Sequence, residues 1–357
     1  MGLASKLQQT SQQVPQQMPQ QMPQQMPQQM PPQIQTQQVA KPMPQQMPQQ
    51  MPQQMQQQIP QQMPPQYMPM KTNPIVGSSV QNSPIYNKLI NIVNVNKLHA
   101  FYQPSDIERI TERISKINFN DLMKKWNLGN LELAYDLVQL ALYDIVIFAD
   151  DSGSMAFFEE GERINDLRFI VQEIAKVATL FDDDGILIRF LNSNKECNGI
   201  RSEQEANQEL STISFSGGTP LGSQLTKKIL EPIVYKLAQS QNLVKPVLVI
   251  IVTDGEPDDK NDVRNSIFKC KSQMGSTKYG EKAVAFEFAQ VGKDKKAQDY
   301  LASLDKDPII GKMIDATSNY EMEEQEYLRK GIQFHPYLWL LKMCLGAIDP
   351  SYDEQDE

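Results

Sequence analysis

From residue 143 to residue 316, short apolar runs of strand length alternate with stretches whose apolar residues recur at helical spacing. Parallel neighbours in a sheet need a long crossover, and an amphipathic helix supplies one. The alternation therefore predicts an α/β fold built on a mostly parallel sheet flanked by helices. The strand runs are IVIFA after Asp144, ILIRFLN from Ile186, VLVIIVT from Val247 and AVAFEFAQV from Ala283, with a last strand expected around 312–316. ISFS, from Ile213, also reads as extended, with Thr212 inside the strand pattern. Residues 164, 167, 170, 171, 174, 177, 178 and 181 form one apolar helical stripe. A helix after Thr219 carries Leu221, Leu225, Ile229, Ile233 and Leu237, and Pro232 is expected to kink it. Further helices are expected near 262–273 and 295–304, and a short segment at 203–210.

Two of the strand runs end in an aspartate. DIVIFADDSGSM delivers Asp150, then Ser152 and Ser154, from the end of one strand, and LVIIVTDGEPDD delivers Asp254 from the end of another. SGGTP presents Thr219 at the start of a helix. In open α/β sheets ligands gather at the carboxyl ends of the strands, so these oxygens are expected on one rim. A hard cation such as Mg2+ takes oxygen ligands in a near-octahedral shell and keeps waters where the protein offers fewer than six. Asp150 and Asp254 supply two negative charges, while Ser152, Ser154 and Thr219 are neutral, so a bound ion would still accept an anion. Each residue also has a structural reading. The serines can satisfy a turn, Thr219 can cap a helix with Pro220 at its first position, and Asp254-Gly255 is a turn dipeptide.

The order Asp, Ser, Ser, then Thr, then Asp, each at a strand or helix boundary, resembles the metal-ion-dependent adhesion site of von Willebrand factor A domains. The wording DDSGSM, SGGTPLG and VTDGEPDD carries the resemblance, which covers roughly 143–316. GERINDLRFIV and DDDGILIRFLN, with the helix leading into LALYDIVIFADDSGSM, are similar to the intracellular fungal A-domain proteins. The resemblance implies a Rossmann-like A domain over 143–317. It implies Mg2+, with Mn2+ or Ca2+ as alternatives, held by Asp150, Ser152, Ser154, Thr219 and Asp254, directly or through water. It also implies a non-catalytic binding role in which a partner protein offers a carboxylate to the metal.

The rest of the chain frames that domain. Residues 1–71 hold QQMP repeats, no acidic residue, and Lys6, Lys41 and Lys71 as their only cations. Frequent proline and little clustered apolar area predict a disordered tail with transient polyproline II segments. Those lysines leave the remainder about three units more negative than the total of −9. An acidic body with no Lys/Arg cluster argues against nucleic acid as partner. Residues 72–98 read as linker and 99–142 as a helical extension packed on the edge of the domain, opening with Ser105 and Glu108 as a capping box. Residues 318–357 read as a C-terminal helical segment with an acidic end. Cys197, Cys270 and Cys344 are far apart and lack a C-x-x-C pattern, and no apolar stretch is long enough for membrane insertion, so a soluble, cytoplasmic protein is expected.

Three features invite other chemistry. Asp182, Asp183 and Asp184 could form an auxiliary cation site, though such a run before a strand is more often a solvated turn. Asp258 and Asp259 could tune the rim's potential, against the reading of solvated loop carboxylates. His99 and His335 adjoin no Cys or acidic ligand pattern, which argues against zinc and against a Ser-His-Asp system. A metal-dependent phosphohydrolase of the haloacid-dehalogenase kind would need a second acid where Ser152 stands, and a scaffold acting through its tail is the third reading.

Overall fold

The computed structural model describes residues 3–11 and 80–353. Six strands form one sheet: β1 (Asp144–Ala149), β2 (Ile186–Phe190), β3 (Glu196–Ile200), β4 (Val247–Thr253), β5 (Val284–Gln290) and β6 (Ile314–Thr317). Their order is β3-β2-β1-β4-β5-β6, with every pair parallel except β2 and β3. The fold is mixed α/β, a mostly parallel sheet with helices on both faces, consistent with a Rossmann-like A domain. β4 is buried at every position, as a central parallel strand with both faces covered must be.

Side-chain alternation along β1 assigns the two faces. Ile145, Ile147 and Ala149 join one apolar core, while Val146 and Phe148 join the other. The second core lies under the helices Leu221–Leu225, Lys260–Gly275 and Lys295–Asp305. The first lies under Glu162–Phe181 and the helices at both ends of the described chain.

Here the expected boundaries change. The helices Pro104–Ile114, Phe119–Lys125 and Leu131–Asp136 are part of the first core rather than an extension on the domain's edge, because Ile107, Ile114, Leu122 and Leu133 are buried together with Ile145 and Ile147. The segment read as linker holds the helix Pro84–Val95, capped by Ser83, with Ile85, Leu89, Ile92 and Val93 buried. Within the segment read as tail, Leu3–Ser11 is a helix with Leu3 and Leu7 in the same core. The rest of the tail reading falls outside the described residues.

Three local expectations also shift. Helix Pro104–Ile114 begins before the expected box, with the Gln103 amide donating to Asp106 at 3.0 Å. ISFS is not a strand, and Thr212 caps the C-terminus of helix Glu203–Ser211. The sheet's edge is instead β3, whose pairing with β2 slips between Ile186 and Ile188 near Gly199, at φ +66°. The disturbance expected at Pro232 takes the form of a π-helical stretch, Thr226–Tyr235, in which the wider turn accommodates a residue lacking an N–H.

At the C-terminus, helix Pro336–Leu345 lies on β5 and β6. Its approach is close because Gly346 has no side chain: a Cβ there would stand 1.9 Å from an Asp315 carboxylate oxygen. Glu287, paired in register with Asp315, is fully buried beneath it.

Candidate functional site

Register explains the site. In adjacent parallel strands Ala149 stands opposite Val252, and the ladder continues one step as the Asp150 amide donates to the Val252 carbonyl at 2.9 Å. Asp150 and Asp254 therefore emerge side by side at the carboxyl ends of β1 and β4, although more than a hundred positions separate them in sequence.

Asp150 is held through both oxygens. Oδ1 accepts from the Ser152 amide at 2.8 Å and Oδ2 from the Thr253 hydroxyl at 2.6 Å. Ser152 caps the short helix Gly153–Phe157, which carries Ser154 toward the rim. The Ser152 and Ser154 hydroxyls are 2.9 Å apart, and Ser154 Oγ donates to Asp254 Oδ1, also at 2.9 Å. These spacings suit a small hard cation, since cis oxygens of an octahedron with metal–oxygen bonds of about 2.1 Å are separated by roughly 2.9–3.0 Å. Burial, and next the nearby Asp254 charge, push the Asp150 carboxyl up to about 6. The buried Asp150 carboxyl is the electrostatic counterpart of a cation site, while Asp254 is already paired on its other oxygen with the Arg163 guanidinium.

Thr219 reaches the same rim from the loop before helix Leu221–Leu225. Its amide donates to Asp258 Oδ1 at 3.0 Å and its carbonyl accepts from the Asp258 amide at 2.9 Å, so the two loops are clasped together. The helix starts one residue later than a threonine cap would require, with Pro220 in the capping position. Thr219 thus opens a loop contact rather than capping the helix. Gly218 and Gly222 permit the approach: a Cβ would stand 2.7 Å from Asp258 Oδ2 at the first and 2.3 Å from the Asp262 backbone at the second. Ser154, Thr219 and Asp254 line one cleft of about 440 Å³ with Glu159, Arg163 and Lys293.

Asp150, Ser152, Ser154 and Asp254 follow one another through hydrogen bonds, Thr219 lines the same cleft as Ser154 and Asp254, and four further residues, Arg163, Glu159, Asp258 and Asp151, join them. Arg163 Nη1 donates to Asp254 Oδ2 at 2.5 Å, and Glu159 accepts from the same guanidinium at 2.7 and 3.0 Å. Asp258, read as a solvated carboxylate, is exposed but holds the Thr219 backbone. Asp151 accepts from the Asn192 and Ser193 amides at 2.6 and 2.8 Å and so ties β1 to the end of β2. Nothing local points from Arg163 to Asp254.

The second acidic group lies at the opposite end of β1. Asp144, Asp182 and Asp184 each offer an oxygen within 4.8 Å of the others. The Lys245 ammonium sits among them, at 3.3, 2.7 and 3.2 Å. Asp183 and Asp184 are exposed in a turn, as the solvated reading expects, while Asp182 is buried and the Lys245 ammonium stands where a metal ion would have to bind. His99 Nε2 meets the Asn94 side-chain oxygen and His335 Nε2 meets the Asn127 carbonyl. Cys197, Cys270 and Cys344 are free and buried. Among the described residues no helix is long and apolar enough to cross a membrane.

No protein-family model and no curated protein matches the sequence. Among solved structures, the chain is similar to a manganese-loaded TRAP protein of Plasmodium vivax, at 15% identity and a TM-score of 0.33, over 51% of this chain and 71% of that one.

Proposed function

We propose that the chain is a non-catalytic, divalent-cation-dependent protein-binding module. Asp150, Ser152, Ser154, Thr219 and Asp254 hold the ion, and a partner protein completes the shell with a carboxylate. The observation that carries this reading is the set of hydroxyl and carboxylate oxygens gathered at one rim with octahedral-edge spacings. Mg2+ suits an all-oxygen set, with Mn2+ and Ca2+ as alternatives. A bound ion would supply Lewis acidity toward an incoming carboxylate, and the protein's part is to orient the oxygens and leave the cleft open.

The rim also suits a protein ligand. Lys293 lines the cleft with its side chain half exposed and its ammonium 3.0 Å from Glu321, and Phe157 and Phe158 stand exposed beside Ser154. Exposed aromatic rings beside a charged centre are typical anchors of protein interfaces. The free buried thiols fit a reducing compartment, so the module is proposed to act in the cytoplasm, as the resemblance to intracellular fungal A-domain proteins also implies. Nucleic acid and membrane insertion form no part of the reading.

Isothermal titration of the full chain with Mg2+ and with Mn2+ tests it, with Asp150→Ala and Asp254→Ala as controls. Saturable heat in the wild type and none in either variant is the expected result. Equal heats in all three would place the ion elsewhere and reject the site.

A further inference from the structure

A second cleft, of about 510 Å³, opens at the amino ends of β5 and β6, the opposite end of the sheet from the rim that carries Asp150 and Asp254. The chain is acidic, with a total charge of −9, yet four lysines and one glutamate line this cleft. They come from separate stretches, so no basic run marks them in the sequence. Lys97 follows the helix Pro84–Val95, Lys271 lies on Lys260–Gly275 with Lys282 just beyond it, and Lys312 precedes β6.

Folding fixes these positions. Lys97 has φ +56°, the left-handed position that ends a helix and usually falls to glycine, and the Leu98 amide closes that end on the Val93 carbonyl at 2.8 Å. The Lys271 ammonium donates to the Ile309 carbonyl at 2.6 Å and the Lys282 ammonium to the Lys312 carbonyl at 2.7 Å, so the segment before β6 is tied to its neighbours. Glu281, the cleft's one carboxylate, stands 3.4 Å from Lys271. Among the described residues, Lys97 and Lys312 have no carboxylate at ion-pair distance. A neutral donor lies among these charges. Tyr279 lines the cleft at 4% exposure, stacked on Phe101 with ring centres 5.1 Å apart, and its hydroxyl is buried without a hydrogen-bond partner. An unsatisfied buried hydroxyl is costly, and an acceptor oxygen reaching it from the cleft removes that cost.

We propose that this cleft binds a small group bearing two or more phosphates, with Lys97, Lys271, Lys282 and Lys312 as its cations and the Tyr279 hydroxyl as a neutral donor. Each phosphate brings several acceptor oxygens and close to two negative charges, and lysine suits it as a point charge. A lone carboxylate would leave most of the four ammoniums unmatched. The cleft's volume falls within the usual range for small molecules, and Val95 and Met313 give it an apolar wall for the uncharged part of the ligand.

The test titrates the full chain in EDTA, so that no metal at the rim can hold a phosphate. One arm uses inositol trisphosphate in calorimetry, and the other uses sedimentation with phosphatidylcholine vesicles that carry phosphatidylinositol bisphosphate. Saturable binding in at least one arm is expected, weakened about tenfold by Lys97→Ala and about tenfold again when Lys312→Ala is added, as for loss of one charged hydrogen bond each. Both lysines are exposed, so these variants leave the core untouched. Tyr279→Phe should weaken binding about threefold to tenfold. Binding in the first arm shows that the phosphates alone suffice, and binding in the second alone assigns a lipid headgroup. No binding in either arm would overturn the proposal, and so would equal affinity in the wild type and the double variant. The same loss from Lys124→Ala with Lys125→Ala, an exposed pair on the helix Phe119–Lys125, would also overturn it, since general charge attraction would then account for the binding.

Discussion

Replacing Asp150 with asparagine should make the metal-free protein more stable while removing its response to Mg2+. The Asp150 carboxyl is buried and pushed up to about 6, first by burial and then by the Asp254 charge. A carboxylate whose pKa is raised on folding stabilises nothing at neutral pH. The native state holds a proton that the unfolded state has lost, so stability falls as pH rises from the ordinary carboxylate value through the folded one, and the full penalty remains above it. A rise to about 6 from 3.8 corresponds to roughly 3 kcal/mol as a ceiling. Asparagine removes that penalty but has one acceptor oxygen for the two donors, the Ser152 amide and the Thr253 hydroxyl, which returns about 1 kcal/mol. The net gain should be about 1–2 kcal/mol, or roughly 2–6 °C in Tm for a domain of this size. Thermal melts in EDTA at pH 4, 6 and 8 should show no advantage at pH 4, a growing one at 6 and a level one at 8. Saturating Mg2+ should raise the wild-type Tm and leave Asp150→Asn unmoved, because only a state that binds the ion gains from it. An Asp150→Asn protein less stable than wild type at pH 8 in EDTA, or one still stabilised by Mg2+, would refute the account.

Three further substitutions test the charges away from the rim. Lys245→Met should destabilise by about 1–3 kcal/mol in urea titrations, since it leaves Asp182 buried and Asp144 partly buried without their ammonium. In the same chain Asp144→Asn should leave the Mg2+ heat intact, and its loss there would mean that the lysine-filled cluster is the true ion site. Glu287→Gln should be indistinguishable from wild type near pH 4 and more stable at pH 9. Burial, and next the neighbouring Asp315, hold the Glu287 carboxyl well above its ordinary value, so its contribution is present at low pH and lost as pH rises through the folded value. The Lys342 ammonium faces it from helix Pro336–Leu345 but is paired with Glu323 at 2.8 Å. An unchanged alkaline limb would show that Glu287 is not the group that titrates there.

The site was legible because parallel-sheet geometry turns sequence position into spatial position. Asp150 and Asp254 each end an apolar run, and once β1 and β4 pair in register those two ends must meet. That inference needs only periodicity and the rule that ligands gather at carboxyl ends. What escaped it is long-range pairing of polar groups. Arg163 sits on a helix whose stripe reveals which face is buried, but the stripe is silent on a guanidinium reaching sideways to Asp254. Lys245 among three carboxylates is equally invisible, because an acidic run looks solvated until its counter-ion, some sixty positions away, is folded beside it. β3 was missed because ECNGI lacks an alternating pattern, as a bulged edge strand need not bury a full face. Leu3–Ser11 was lost to the composition around it. Average polarity over 1–71 hides Leu3, Lys6 and Leu7, which acquire meaning only against the apolar core and the Asp136 carboxylate. The common cause is physical: apolar burial is periodic and so leaves a trace in sequence, whereas a buried charge is stabilised by one partner at one point. Arg163 on Asp254 is of the second kind, and only the folded chain identifies it, whereas Asp258 was named from its place in the loop but not as the holder of the Thr219 backbone.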